Sequence, residues 1–394
     1  MAPTASKTGA LSWAVLASLA LAVLARPTGC TEKGSDGGAL TSVLVEDLLA
    51  QVGPGVVQPA LADFLVAMDG LDAALAAWDG SEGSSRDEAQ NAWRVAMRAW
   101  QRVEVMQIGS LGSSLTAAGG ADLRDEIYSW PTINPCRVDQ ETAEAAWEES
   151  DFFTANLVNS YGLDAVEHLL WAGADNTCPS QTTPNSDGAW VALGEAGVQD
   201  NRAAFSRALS AEVRRQAAAL LAEWEGDFAQ TLAEAAAPYE DEQQALNAVY
   251  DALFYLEIAT KDRKLAWPMG IGECTSGACE EEVEGLVSGS GVSSIAGNLE
   301  GFGLLFRGGE GIGWDDLLVD LGHGDLSEQI LVDLDAALVL ANALEAPLDE
   351  AILDQPEHVE ELHAAVKKVT DAMKGDLSTL LALEIPGEAA GDND

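Results

Sequence analysis

The 394-residue sequence predicts an all-α protein. Apolar residues recur three and four positions apart along most of the chain, which is the spacing of one face of an α-helix. Runs that alternate apolar and polar residues, as in a half-buried strand, are almost absent. Glycine and proline cluster between the apolar stripes, where they mark loops.

The apolar stripes define the longer helices in chain order. They run over 61–78, 89–104, 205–228, 246–256, 295–306, 330–341 and 359–373, and a further helix is predicted over 152–171. Three long loops are predicted at 109–139, 172–187 and 268–277, and loops longer than about 12–15 residues are often functional or disordered. The pattern is interrupted at Ala235–Pro238, which divides the chain into a region 43–237 and a region 238–386, followed by an acidic tail 387–394.

The net charge is strongly negative, because 20 Lys and Arg stand against 65 Asp and Glu, giving −45. Such a surface repels phosphate backbones, so nucleic acid is excluded as an expected partner. The charge informs solubility more than function.

The first residues predict export. Lys7 precedes a short apolar stretch from Ala10 to Ala25, which falls below the roughly 20 residues that a membrane-spanning helix needs. We therefore read 1–29 as a signal peptide and 30–42 as a flexible linker. Cys30 follows a small residue, as in a bacterial lipoprotein processing site, so it is the expected lipid anchor. The predicted location is the periplasm or the outer membrane, with membrane contact only through that lipid.

Four further cysteines predict disulfides, since an exported protein meets an oxidising environment. They are Cys136, Cys178, Cys274 and Cys279. Four cysteines allow three pairings, and Cys274 and Cys279 bracket a spacer suited to a small closed loop. A zinc site is the weaker alternative, because no CxxC pair occurs.

The strongest candidate site lies on the helix that ends at Trp171. Asp164 is three and four residues from Glu167 and His168, so both are its neighbours on a helix. Carboxylates on an otherwise apolar helix need a metal, a base or a hydrogen-bond network as a partner. The alternative is structural, with these groups holding two helices in register.

Two other positions, Glu104 and Arg137, are secondary candidates. Glu104 continues the stripe of Trp93 and Trp100, so it either faces the core, where it can converge with Glu167, or ends the helix in solvent. Arg137, next to Cys136, can pair with a carboxylate of the site. His358 and His363 are five apart, which does not match the spacing of a zinc peptidase.

These residues resemble the imelysin family. Gly162-x-Asp164-x-x-Glu167 before Trp171 is similar to its signature Gly-x-His-x-x-Glu. The segments 92–104, 127–131 and 293–308 follow in the family's order, and the resemblance covers about 43–385. It implies two helical bundles packed side by side with the signature at their interface, in exported proteins classed as metallopeptidases and linked to iron acquisition.

The sequence departs from the family at Asp164, where the signature has histidine. This lowers the expectation of peptidase activity and leaves cation binding open, since an oxygen-rich set suits iron, manganese or calcium. We expect a lipoprotein that binds a divalent metal, iron or a metal-bearing ligand, with no identified protein partner. The metal set is Asp164, Glu167, His168 and Glu104, and Trp130, Arg137 and Trp171 are candidate supports. The alternatives are an M75 metallopeptidase and a non-enzymatic surface scaffold.

Overall fold

The computed structural model describes residues 37–272, 274, 277–387 and 389–390, and it confirms the all-α prediction, since no strand occurs in these ranges. The α-helices are α1 Gly37–Gln51, α2 Gln58–Ala77, α3 Ser84–Glu104, α4 Leu123–Ile127, α5 Pro135–Glu144, α6 Phe152–Ala155, α7 Leu163–Trp171, α8 Ala189–Glu223, α9 Ala229–Ala233, α10 Glu242–Leu253, α11 Gly291–Arg307, α12 Trp314–Asp320, α13 Gly324–Ala343, α14 Leu348–Asp354, α15 Pro356–Ala372 and α16 Ser378–Leu381. π-Helical segments follow several of them, at Val52–Val57, Trp224–Phe228, Leu256–Ala266 and Met373–Leu377.

Helix α3 occupies the centre of the part that carries the site. It packs against α2, α7 and α11. The contact with α2 includes Phe64 and Trp100, whose ring centroids are 5.2 Å apart, and both side chains are fully buried. The strong apolar stripe of α3 is therefore covered on several sides, which explains why its last residue, Glu104, is also buried.

Helix α11 approaches α3 closely because two of its glycines face it. A Cβ at Gly297 would lie 2.6 Å from the Gln101 Cβ, and a Cβ at Gly301 would lie 2.3 Å from the Arg102 carbonyl oxygen. Glycines lower helix propensity, yet here they permit backbone contact between two helices that are far apart in sequence. Helix α11 continues the stack to α13, which in turn packs on α15.

Two predicted segments differ from the structure. The predicted helix 152–171 is divided into α6 and α7: the extended backbone at Asn156 and Leu157 ends α6, and α7 starts only after Gly162, whose φ is 103°. The predicted loop 109–139 contains α4 and the start of α5. Helix α5 begins there because the Asn134 side chain accepts a hydrogen bond from the Arg137 amide at 3.1 Å, and Pro135 occupies its first turn.

The predicted domain boundaries lie partly inside the described residues. The described residues belong to one compact unit that begins at Gly37, inside the predicted linker, so the helical part begins earlier than residue 43. The division into bundles 43–237 and 238–386 stays a prediction. The signal peptide 1–29, the anchor Cys30 and the end of the acidic tail lie outside the described residues. Within the described part, no helix is long and apolar enough to cross a bilayer.

Candidate functional site

Helix α7 is fixed at its first turn by Gly162 and by a tryptophan of α3. A Cβ on Gly162 would lie 3.0 Å from the Ile127 carbonyl oxygen, so only glycine allows this approach at its positive φ. The Trp93 indole donates a hydrogen bond to the Leu163 carbonyl oxygen at 2.8 Å. At the other end of α7, the Trp171 ring packs edge-on against Trp93, with centroids 5.3 Å apart.

Asp164 and Glu167, here called the signature pair, are buried side by side on α7, with 5 % and 7 % exposure. Asp164 accepts hydrogen bonds from the Ser129 hydroxyl at 2.7 Å and the Ser129 amide at 3.1 Å. Glu167 accepts one from the Ser288 amide at 3.1 Å. The pair therefore ties α7 to the loop before Pro131 and to the loop before α11.

Burial raises the pKa of both members of the signature pair. The pKa of Asp164 rises to about 7 because desolvation outweighs its hydrogen bonds. The pKa of Glu167 also rises to about 7, again mainly through desolvation, with the negative charge of Asp164 contributing. Neither carboxylate forms an ion pair with a described residue.

A second group of buried charges lies beside the signature pair, and we call it the ion-paired cluster: Glu104, Arg124, Lys264 and Glu284. The Arg124 guanidinium donates to Glu104 Oε1 at 2.6 and 3.0 Å. Lys264 Nζ lies 3.0 Å from Glu104 Oε2 and 3.0 Å from Glu284 Oε1. Burial alone would raise the pKa of Glu104, but Lys264 and Arg124 outweigh this effect and lower the pKa to about 2. Burial raises the pKa of Glu284, which among the described residues forms an ion pair with one cation, Lys264.

The two groups meet around Tyr128. Its pKa rises well above the usual value, first through burial and then through the negative charges of four carboxylates: Glu284, Glu167, Glu104 and Asp164. Tyr128 also hydrogen-bonds Glu284. Acids from α3, α7 and the loop before α11 therefore share one buried region, and Glu104 lies in the region of Glu167 but is neutralised separately.

His168 turns away from the signature pair. Its Nε2 lies 3.0 Å from Asp139 Oδ1 on α5. The second oxygen of Asp139 accepts hydrogen bonds from the Thr177 amide and hydroxyl, both at 2.7 Å. His168 and Asp139 therefore tie α7 to α5 and to the loop after α7.

The candidate supports occupy three different places. Trp130 precedes a cis proline, its carbonyl oxygen accepts a hydrogen bond from Arg124 at 2.7 Å, and Lys264 Nζ lies 5.8 Å from the centroid of its ring. The guanidinium of Arg94 lies 5.0 Å from the centroid of the Trp171 ring. Arg137 pairs with Glu141 on its own helix, so it does not contact the signature pair.

The disulfide prediction is confirmed, and the structure selects one of the three pairings. Cys136 is bonded to Cys178, and Cys274 is bonded to Cys279. The first bond closes a loop that contains α7 and lies next to Thr177.

The donor set limits how a metal can be held. Among the described residues, no group of three or more His, Cys, Asp or Glu side chains is arranged to hold a metal ion. Glu104 is engaged by two cations and His168 by Asp139. Of the predicted metal set, only Asp164 and Glu167 have no such partner among the described residues.

Several important residues escaped the sequence analysis. Glu284 and Lys264 each lie among other charged residues in the sequence, which gives no sign that their side chains are buried. Ser288 acts through its backbone amide, which carries no sequence signal. Asp139 sits in a segment that was read as loop.

The family model described as Imelysin, of the M75 peptidases, matches residues 57–374. The chain is similar to the crystal structure of an imelysin-like protein from Psychrobacter arcticum 273-4, with a TM-score of 0.66 and 15 % identity, covering 87 % of this chain and 97 % of that one.

A second solved structure is also similar. It is described as an iron-regulated protein A precursor from Parabacteroides distasonis ATCC 8503, with a TM-score of 0.63 and 16 % identity, covering 90 % of this chain and 97 % of that one. No match was found among curated proteins. At these identities the structural likeness shows the fold.

Proposed function

Because the chain belongs to the imelysin family, we propose that it is an exported protein that binds a cation, namely an iron ion or an iron-bearing ligand, through Asp164 and Glu167. Export follows from the predicted signal peptide and the anchor Cys30. The link to iron is suggested by the similar structure described as an iron-regulated protein.

The charge balance of the buried region carries this proposal. Glu104 has two cations and Glu284 has one, whereas the signature pair has none among the described residues. Two adjacent buried carboxylates without a counter-charge hold protons near neutral pH, which the pKa values of about 7 express. A bound cation would replace those protons.

The chemistry of the donors favours a hard cation. Carboxylate oxygens are suitable ligands for iron, manganese and calcium, whereas structural zinc is bound mainly by thiolate and imidazole ligands. When bound, iron would supply positive charge to the signature pair, and Ser129 and Ser288 would orient the two carboxylates. Two protein ligands leave room for ligands that arrive with the metal.

Titration calorimetry of the metal-free mature protein with Fe²⁺, Mn²⁺, Ca²⁺ and Zn²⁺ tests the proposal. We expect Fe²⁺ or Mn²⁺ to bind and Glu167→Gln to weaken that binding at least about tenfold, since one of two charged ligands is lost. Asp69→Asn, which changes an exposed carboxylate paired with Arg214, is the matched control and leaves binding unchanged. The proposal fails if no metal binds, or if Glu167→Gln binds as tightly as the parent.

The alternative of a structural role has one observation in its favour. Asp164 and Glu167 already accept hydrogen bonds from two loops, so they can hold α7 in place without a ligand. In that case Asp164→Asn and Glu167→Gln alter stability and no metal affinity.

The alternative of a metallopeptidase is tested separately. A metallopeptidase would cleave an unfolded protein substrate, a chelator would abolish this cleavage, and Glu167 would act as the general base. His168, the nearest imidazole in sequence, is held by Asp139.

A further inference from the structure

A cleft of about 620 Å³ lies next to the ion-paired cluster and is separate from the signature pair. Its walls come from the chain after α3, from α10 and the π-helical segment Leu256–Ala266, and from residues 384–387. Arg124, Trp130 and Tyr255 form the wall that it shares with the cluster. Its volume is in the range of sites that take small organic molecules.

Some of the charges on these walls are already satisfied. Asp125 pairs with Arg124 at 2.9 Å, and Asp122 accepts hydrogen bonds from the amide and the hydroxyl of Ser114. Asp251, Glu384 and Arg263 also line the cleft, and none of the three forms an ion pair with a described residue. The cleft thus presents an acidic position and a basic position, both available to a ligand.

The acidic position is made of two carboxylates that repel each other. Partial burial, followed by the negative charge of Glu384, raises the pKa of Asp251 to about 6. An ammonium group would relieve this repulsion. A carboxylate would equally suit the guanidinium of Arg263, whose fork of donors matches it.

The spacing of the two positions sets the length of the ligand. Asp251 and Arg263 are twelve residues apart on a chain that is helical on both sides of Phe254, which corresponds to at most about 18 Å along the helix axis. An extended peptide covers about 3.3–3.6 Å per residue. Between the two positions, Trp130, Tyr255 and Ile258 supply an apolar and aromatic wall.

We propose that this cleft binds an extended zwitterion, a short peptide of about three to five residues, with its free ammonium at Asp251 and Glu384 and its free carboxylate at Arg263. The role is binding, and no bond of the peptide is broken. The proposal does not rest on the cation site, because it uses none of the residues of the signature pair.

Calorimetry of the mature protein with the tetrapeptide alanyl-leucyl-leucyl-alanine tests this, using the free, N-acetylated and C-amidated forms. We expect the free form to bind and each capped form to bind about tenfold more weakly or worse, since each loses one charged contact. In the double variant Asp251→Asn, Glu384→Gln the acetyl group should no longer change the affinity, and in Arg263→Gln the C-terminal amide should no longer change it. Asp333→Asn, at an exposed carboxylate outside the cleft, is the control that keeps the parent behaviour.

Three results would overturn the proposal. The first is that the free peptide does not bind, and the second is that free and capped peptides bind equally. The third is that Asp164→Asn loses peptide binding while Asp251→Asn binds the peptide like the parent. Metal titration of Asp251→Asn separates the two sites, since we expect that variant to bind Fe²⁺ like the parent.

Discussion

Glu104 and the signature pair are buried to nearly the same degree, yet their pKa values shift in opposite directions. The pKa of Glu104 falls to about 2, and those of Asp164 and Glu167 rise to about 7. Glu284, which shares Lys264 with Glu104, is raised. The difference follows the number of cations that contact each acid in the described part of the chain: Glu104 contacts two, Glu284 one, and the signature pair none. Burial alone is therefore not what distinguishes a structural acid from a candidate ligand here.

The largest expected effect comes from removing the cation of the ion-paired cluster. Lys264→Met leaves Glu284 buried without a counter-charge and Glu104 with Arg124 alone, and we expect it to lower the free energy of unfolding by about 3–5 kcal/mol. Urea denaturation at pH 7 measures this loss.

The control for this substitution is a lysine of the surface. Lys367→Met breaks an exposed i,i+4 pair with Asp371 and should cost less than about 0.5 kcal/mol. Equal losses for the two lysines would show that the cluster is not held by Lys264.

The acids with raised pKa values and Glu104, whose pKa is lowered, should also have opposite effects on how stability depends on pH. An acid with a raised pKa keeps its proton in the folded state while the unfolded chain has already lost it, so stability falls as pH rises. For the signature pair this window runs from about pH 4 to pH 7, with a loss on the order of a few kcal/mol. Glu104 behaves oppositely: its contribution is present above pH 4.5 and is lost as pH falls towards 2.

Denaturation of the chelator-treated protein between pH 4 and pH 8 measures this dependence. The double variant Asp164→Asn, Glu167→Gln should lack the loss between pH 4 and pH 7 that the parent shows. Parallel curves for the two proteins would mean that these carboxylates are not protonated in the folded state.

A smaller effect is expected where α7 is tied to α5. Asp139→Asn keeps the shape of the side chain but removes the charge that holds His168 and Thr177, and it should lower the free energy of unfolding by about 1–3 kcal/mol. Because His168 turns away from the signature pair, the affinity for Fe²⁺ should not change. A tenfold loss of affinity for Fe²⁺ would indicate that His168 contributes to metal binding.

Sequence reasoning predicted the fold, which the structure confirms, and it singled out acids of the candidate site that the structure shows to be buried, for reasons that are local. The helical spacing of Trp93, Trp100 and Glu104 is readable within one segment, and it left open whether Glu104 faces the core or ends the helix in solvent; the structure shows that it is buried. The signature residues on α7 were equally visible as acids on an apolar helix.

The remainder depends on which segments meet in space. Lys264 and Glu284 are buried because the π-helical segment and the loop before α11 cover α3, and nothing near them in sequence shows this. Ser288 contributes a backbone amide. The start of α7 directly after Gly162 is associated with the close approach of this glycine to the Ile127 carbonyl oxygen, another contact between distant segments.

The most direct test of the contrast between neutralised and unneutralised acids is the number of protons released when Fe²⁺ binds. Calorimetric titration at pH 6.5, repeated in buffers with different ionisation enthalpies, gives that number. Because a metal must displace the protons held by Asp164 and Glu167, we predict the release of about one to two protons, and a smaller release in Glu167→Gln. Binding of Fe²⁺ without proton release, or with a release that Glu167→Gln leaves unchanged, would contradict the account.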